Sequence, residues 1–503
     1  AKLSTLPTTS NWVMCLSGNI SYESVGENGF AKVYSEFPSN SASSYKASIV
    51  IKPNSNSYLF IADENGCERP LVAVVGKTNL RDKSNLAEGI YISHKKFLDK
   101  AVEYANYRIA QGFKIKTIDV DDIYNQFGNG KSSPRSIKAF LEYAYKNWQS
   151  PAPAYLLIFG DACWDPKKLL PGTIATNYVP SSGRPVSDYW YGTINGYDGE
   201  SELIVGRIPA NEVSDVQNYF DKVKSFENIP RRRFMKNFLF LSGGQTDGER
   251  SDFYYARSYM IDLINQFDMC ADTVTVAKTT SEIGSTVEMQ YIRAAINNGA
   301  IWTAFLGHAS SQVFDMDGWN VQNLNNKDRY GVLTTVSCNT GAFAEPFNIS
   351  GRNEEYILEK DKGFIASMGS TSVGFVPQGQ LLLGRMMIGI ADSSINLRRV
   401  GDLLYYGKQA YPFIIDQDIE EWLTRDDFGL LGDPMIKIRI ADTTSLFIED
   451  ASFSITNQAG ETQISVDDEI IKINGTVLNN GYAAYDSLMI FLVHTYNGKS
   501  DTL

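Results

Sequence analysis

Histidine is scarce in this chain of 503 residues, which contains only His94, His308 and His494. Any reaction that needs an imidazole base therefore has three candidates. Lysine and arginine number 46 against 58 aspartates and glutamates, which gives a formal net charge of −12. Because nucleic-acid binding requires clustered cations that neutralise phosphates, this excess of acid argues against a nucleic-acid partner.

Long apolar runs are absent as well. The longest, such as residues 487–493, have the length of a strand, whereas a membrane helix needs roughly 18 apolar residues. Phosphate-binding loops, dinucleotide-binding turns and clustered zinc ligands are also missing from the sequence. We therefore expect no transmembrane segment and no cofactor that the chemistry requires.

Cysteine is sparse, and its count of five is odd. If Cys338 stays free, Cys15 has Cys67 as a possible partner and Cys163 has Cys270. Sequence spacing alone establishes neither bridge.

The length of the chain predicts two to four domains, since one hydrophobic core does not grow to this size. Short alternating segments before residue 87 predict a small all-β module, residues 1–86. Strands that alternate with amphipathic helices then predict an α/β fold with a mostly parallel sheet, in two halves, 87–235 and 236–440. Residues 430–439 are expected to form its last strand.

A period of two returns in residues 441–503, together with Asn-Gly turns, and predicts a second β module. It is shorter than the roughly 100 residues of an immunoglobulin-type sandwich. The module is thus either a minimal version or a truncated one.

Two apolar runs in the second half end on chemically reactive residues. Residues 300–306 precede Gly307 and His308, and residues 330–336 precede Ser337 and Cys338. Because ligands and catalytic groups collect at the carboxyl ends of parallel strands, neighbouring strands would bring the imidazole and the thiol together. A thiol needs such a base to become a nucleophilic thiolate near neutral pH.

The alternative is structural. A free cysteine is often buried as a small hydrophobic residue, and a histidine at a strand end can be a polar group that is simply satisfied. The matched placement of His308 and Cys338 favours a Cys–His dyad.

Several short segments, taken in order and spacing, resemble the gingipain family of cysteine peptidases, relatives of caspases and legumain. These segments are residues 92–97, 157–161, 187–191, 205–209, 307–308, 337–341 and 431–434. The resemblance implies a caspase-like catalytic region of two abutting α/β subdomains, with an immunoglobulin-like module behind it. It also implies a bacterial protein that is secreted or on the cell surface, and structural calcium, for which Asp315 and Asp317 would supply oxygen ligands.

Carried over residue by residue, the resemblance makes Cys338 the nucleophile and His308 the acid/base. The family has an acidic residue after the first strand of its second half; here that place holds Gly-Gly-Gln, and Asp247 is the nearest carboxylate. The backbone N–H groups of Ala309 and Cys338 would form the oxyanion hole. The family usually has glycine where Ala309 stands. Alanine also has a backbone N–H, so the donor is kept unless this position needs a positive φ.

Substrate binding is also implied by the resemblance. Asp252 falls where arginine-cleaving members carry a pocket carboxylate, which would pair with a basic P1 side chain. The alternative for Asp252 is an acid at a helix start, where the helix dipole favours it. Ser370 and Phe375, after the next strand, are expected to line the same pocket.

The sequence thus predicts a cysteine endopeptidase that acts on protein or peptide substrates through a thioester at Cys338. One alternative is a transpeptidase that resembles the gingipain-like sortase of type IX secretion, in which an amine replaces water. The other is a catalytically inactive, peptidase-like binding protein. The sequence leaves the oligomeric state open.

Overall fold

The computed structural model describes strands 12–16, 30–32 and 59–63, then residues 75–76 and 78–502 except 196–198, 282–285, 412–418, 450–451, 466, 484–490, 492 and 497. The chain forms two compact units, Ala1–Lys77 and Thr78–Leu503. The first contains an antiparallel sheet in which β1 (Trp12–Leu16) lies between β2 (Phe30–Lys32) and β3 (Leu59–Asp63). The predicted domain boundaries stay predictions.

A single ten-stranded sheet runs through the described part of the second unit. Its strands are β4 (Gly89–Ser93), β5 (Ile115–Asp119), β6 (Tyr155–Phe159), β7 (Ile204–Ile208), β8 (Asn237–Ser242), β9 (Asp272–Ala277), β10 (Trp302–Leu306), β11 (Val332–Val336), β12 (Ala366–Ser370) and β13 (Phe428–Leu431). Their order in space is β5-β4-β6-β7-β13-β12-β11-β10-β8-β9. The predicted halves thus contribute four and six strands.

The strands within each half are parallel, except that β13 runs antiparallel to β12. The prediction of a strand over residues 430–439 was wrong in extent, since β13 ends at Leu431. Gly432 has a φ of +122°, and Pro434 lacks the N–H that a continuing ladder needs. β13 meets β7 through one residue pair, Leu431 with Arg207.

Helices surround this sheet. In chain order those of the described residues are α1 (Leu98–Ala110), α2 (Val120–Phe127), α3 (Pro134–Asn147), α4 (Tyr189–Gly192), α5 (Val213–Asn228), α6 (Asp247–Asn265), α7 (Thr286–Asn298), α8 (Arg352–Leu358), α9 (Val376–Ala391), α10 (Val400–Lys408) and α11 (Ile419–Asp427). Short 3-10 helices span Lys95–Phe97, Arg233–Lys236 and Val321–Asn323. Because helices cover the central strands, β10, β11 and β12 are buried along their whole length.

The C-terminal region contains antiparallel strand pairs, as its alternating pattern predicts. They join β14 (Leu446–Ile448) to β17 (Val477–Asn479), β15 (Ser454–Asn457) to β16 (Ile471–Asn474), and β18 (Val493–Tyr496) to β19 (Lys499–Thr502). Its assignment as an immunoglobulin-like module stays a prediction.

The structure contradicts one of the two disulfide pairings. Cys163 and Cys270 are both free: Cys163 follows β6, whereas Cys270 precedes β9 and accepts a hydrogen bond from Asn479. Cys67 lies outside the described residues, so the structure does not test the other pairing. In the part of the chain that the structure describes, no helix is both long and apolar enough to cross a membrane.

Candidate active site

The register of β10 and β11 sets the geometry of the site. These strands are parallel neighbours in which Leu306 lies opposite Val336. His308 and Cys338 each follow that pair by two residues, so they leave the same edge of the sheet at the same level. The strands themselves are buried, but the His308 side chain is 45% exposed and Cys338 is partly exposed. The structure therefore brings together the two residues of the predicted dyad.

The loop after β12 holds the sulfur of Cys338. The N–H of Gly374 donates to Sγ at 3.3 Å, and the Gly374 carbonyl lies 3.8 Å from it. Asn339 has a φ of +54° and donates its N–H to the carbonyl of Ser372 at 2.6 Å. This tight turn ends β11 and presents the thiol at the surface, with a backbone donor placed to stabilise negative charge on sulfur.

Among the described residues, no hydrogen bond joins the Cys338 sulfur to the His308 imidazole. Such contacts in unliganded sites are often long and tighten only when substrate binds. The two groups are thus arranged as neighbours across one strand spacing and not as a preformed hydrogen-bonded pair.

A carboxylate does contact the imidazole, and it belongs to Glu249. Its Oε1 lies 3.3 Å from Nε2 of His308, while the ring packs edge-on against Phe253 with centroids 5.7 Å apart. The other oxygen of Glu249 accepts the N–H groups of Gln245 and Thr246 at 2.8 and 3.0 Å. These backbone donors, and to a smaller extent His308, lower the pKa of Glu249, so an ionised carboxylate faces the ring.

The start of α6 explains why this glutamate is the one in contact. Thr246 and Glu249 form a capping box, in which the Thr246 hydroxyl accepts the Glu249 N–H at 3.2 Å. The helix therefore begins at Asp247. Asp247, the carboxylate that the sequence favoured, is 97% exposed and pairs with Arg250, so the structure does not bring it to the imidazole. A Thr-x-x-Glu pattern after β8 was the signal that sequence reasoning missed.

The predicted oxyanion donors are available. Within the described residues, neither the N–H of Ala309 nor that of Cys338 donates a hydrogen bond to the protein. Ala309 is not among the residues with a positive φ. The alanine at this position therefore keeps its donor without backbone strain.

The two carboxylates of the predicted calcium loop have cationic partners within the protein. Asp315 is buried, lies 3.9 Å from the ammonium of Lys278 and accepts the N–H of Gly244 at 2.8 Å. Asp317 pairs with Arg352 at 2.8 Å. Each carboxylate therefore already faces a cation of the protein, and calcium binding stays a prediction. Within the described ranges there is no group of three or more histidine, cysteine or acidic side chains that would hold a metal ion.

A groove of about 460 Å³ opens beside the cysteine. Asn339 and Val373, which flank Cys338 and Gly374 in sequence, form one wall. The lining also includes Trp164, Arg184 and Glu345, and the Arg184 guanidinium lies 3.7 Å from the centre of the Trp164 ring. The groove thus offers an aromatic surface and charges of both signs to a substrate.

The predicted substrate-binding residues are distributed around this site. Ser370 is buried at the end of β12 and accepts the N–H of Ser372 at 3.2 Å, and Phe375 is the N-cap of α9. Asp252 is exposed on α6, one turn after Glu249. Because α6 begins at Asp247, Asp252 lies beyond its first turn, so an acid at a helix start does not explain it. None of Ser370, Phe375 and Asp252 lines the groove of about 460 Å³.

Comparisons with known proteins agree with this architecture. The model of peptidase family C25 matches residues 82–439. Gingipain R2 of Porphyromonas gingivalis (strain ATCC BAA-308 / W83) is 21% identical over 408 residues, 78% of this chain and 51% of the relative, so the chain spans about half the length of that curated protein.

Two solved structures share the fold. The Arg-specific cysteine proteinase gingipain R superposes with a TM-score of 0.58 at 16% identity, over 80% of this chain and 99% of its own. The complex of the Porphyromonas gingivalis RgpB pro- and mature domains gives 0.58 at 17% identity, over 78% and 97%. The fold class expected from the sequence is confirmed.

Proposed function

Since the chain belongs to peptidase family C25, we propose that it is a cysteine endopeptidase that cleaves protein or peptide substrates at Cys338. The observation that carries this proposal is the register of Leu306 with Val336, which sets His308 and Cys338 side by side at one sheet edge. Two unused N–H donors and a groove accompany them.

In the first step the Cys338 thiolate attacks the carbonyl carbon of the P1 residue, and a C–S bond forms. The C–N bond then breaks as the His308 imidazolium gives its proton to the leaving amine. In the second step water adds to the thioester and gives a proton to the imidazole. The acid product leaves, and the thiolate–imidazolium pair is restored.

Three further groups assist these steps. Glu249, at 3.3 Å from Nε2, orients the ring and faces it with a carboxylate, in place of Asp247, the nearest carboxylate in the sequence. The N–H groups of Ala309 and Cys338 stabilise the oxyanion of each tetrahedral intermediate. The N–H of Gly374 stabilises the thiolate before attack.

A preference for a basic P1 residue is part of the proposal. It is supported by the resemblance, by the name of the Arg-specific proteinase with the same fold, and by the net charge of −12. Asp252 remains the proposed partner of that side chain, with Ser370 and Phe375 in the same pocket. A secreted or cell-surface location follows from the resemblance alone.

The test is cleavage of a fluorogenic peptide set in which P1 is varied. Cys338→Ala should lower kcat/KM by about a thousandfold or more, whereas Cys270→Ala, which removes another partly exposed free thiol, should leave it unchanged. Cleavage that survives Cys338→Ala would overturn the assignment. Asp252→Asn should raise KM only for peptides with arginine or lysine at P1.

Product analysis separates hydrolysis from transpeptidation. With glycine amide added in excess, a hydrolase yields mainly the free acid. A joined product that depends on Cys338 would instead make the protein a transpeptidase.

A further inference from the structure

Three strand ends converge on one buried carboxylate behind His308. Asp315 accepts the N–H of Gly244, just after β8, through Oδ2 at 2.8 Å. Its own N–H donates to the carbonyl of His308, just after β10, at 2.9 Å. Lys278, just after β9, lies 3.9 Å from the same oxygen. Asp315 therefore joins the segment that leads to Glu249 to the segment that carries the histidine.

The space around this carboxylate is shaped for it. A Cβ added at Gly243 would lie 2.3 Å from Oδ1 of Asp315, and one added at Gly307 would lie 2.8 Å away. Real Cβ atoms essentially never approach so closely, so a side chain at either position would displace the carboxylate; at Gly307 the Phe305 ring, 2.7 Å away, would clash as well. The Asp315 carboxylate therefore fits closely between the ends of the strands that carry the active-site residues.

The charges of this pair are only partly satisfied. Among the described residues, neither Oδ1 of Asp315 nor Nζ of Lys278 has a hydrogen-bond partner. Both side chains are almost fully buried. Burial raises the pKa of Asp315, while the Gly244 N–H and Lys278 oppose that rise. A buried charge that is weakly screened acts strongly on its neighbours, and Asp315 interacts with His308 both through the backbone and through charge.

We propose that the buried Asp315–Lys278 pair is a positioning element of the active site, which fixes the His308 backbone and sets the balance of charge behind the imidazole. This inference rests on the proposed peptidase function. Among the described residues, Glu249 of α6 is the ionisable group in contact with the ring, and Cys338 follows the neighbouring strand β11. Asp247 and Arg250, also on α6, neutralise each other.

The test uses the pH dependence of kcat/KM for the best-cleaved peptide of the P1-varied set. The alkaline limb of this profile reports loss of the imidazolium proton that the leaving amine needs. Asp315→Asn removes a negative charge and should move the limb to lower pH by about half a unit. Lys278→Met leaves the carboxylate uncompensated and should move it to higher pH by a similar amount.

Opposite shifts distinguish positioning by charge from mere structural support, since loss of packing lowers kcat/KM without moving the limb in two directions. The double variant, Asp315→Asn with Lys278→Met, should return the limb close to the wild-type position. If Asp315→Asn does not fold, the upward shift in Lys278→Met decides alone. Unmoved limbs, or limbs that move the same way, would overturn the inference. Absence of cleavage dependent on Cys338 in the wild type would instead overturn the proposed function.

Discussion

Replacement of Asp427 by asparagine is expected to remove a dependence of stability on pH between about 4 and 6. Asp427 ends α11 and is buried. Its Oδ2 accepts the hydroxyl of Ser372 at 2.5 Å, and its backbone carbonyl accepts the N–H of Thr371 at 3.0 Å. It therefore supports the loop that reaches the Cys338 sulfur. Burial raises the pKa of Asp427 to about 6, although the hydrogen bond from Ser372 opposes the rise.

The sign and size of the effect follow from this pKa. An unfolded aspartate titrates near about 3.9, so the folded protein binds the proton more tightly than the unfolded chain does. Protonation of Asp427 thus stabilises the fold. The contribution is complete below about pH 4 and is lost as the pH rises through about 6. A difference of about two pKa units corresponds to about 3 kcal/mol of unfolding free energy.

Urea unfolding followed by tryptophan fluorescence at pH 4, 5, 6 and 7 measures this contribution. Relative to the wild type, Asp427→Asn should gain about 3 kcal/mol between pH 4 and pH 7, because asparagine keeps an acceptor for Ser372 but does not ionise. Ser372→Ala is the control: without the hydrogen bond that opposes the rise, the loss should extend to higher pH. A constant difference between wild type and Asp427→Asn at all four pH values would refute the reasoning.

The remaining predictions concern the active site. Glu249→Gln should lower kcat/KM about tenfold. This loss is smaller than that expected for a fully buried triad carboxylate, because the contact between Glu249 and His308 is partly exposed. Asp247→Asn should leave kcat/KM unchanged, and equal losses in the two variants would contradict the assignment of Glu249. Gly374→Ala should slow alkylation of the active-site thiol by iodoacetamide, because the added Cβ would lie 2.5 Å from the Ser337 carbonyl oxygen; an unchanged rate would show that the loop shifts freely. Val373→Trp should raise KM several-fold without a change in thermal midpoint, because this half-exposed residue lines the groove; an unchanged KM would exclude the groove from substrate binding.

The placement of His308 and Cys338 after neighbouring strands was predictable because its signal is local. His308 and Cys338 each follow a strand by two residues, and a parallel register converts equal sequence offsets into spatial proximity. The α/β class was predictable for the same reason, because the hydrophobic periods that distinguish strands from helices are visible within short stretches of sequence.

The contacts that failed or were missed depend on distances that sequence does not encode. Proximity in sequence favoured Asp247, but the helix turn at Thr246 brings Glu249 to the imidazole. Cys163 and Cys270 were possible partners if Cys338 stays free, yet they lie in different halves of the fold. The pair of Asp315 and Lys278 joins two loops 37 residues apart, and neither loop has a sequence pattern that predicts this contact.

The two groups of strands meet at a seam with a single rung, Leu431 opposite Arg207, whereas β8 and β10 share five paired positions. Side chains close the gap: the Tyr219 hydroxyl accepts the Asp433 N–H and donates to the Ile365 carbonyl. Tyr104 and Arg108 of the first half also donate to the Asp433 carboxylate, so side chains more than backbone pairs hold this seam together. Amide hydrogens beside it, beginning with that of Gly432, should therefore exchange with solvent through smaller openings than those in the middle of either half.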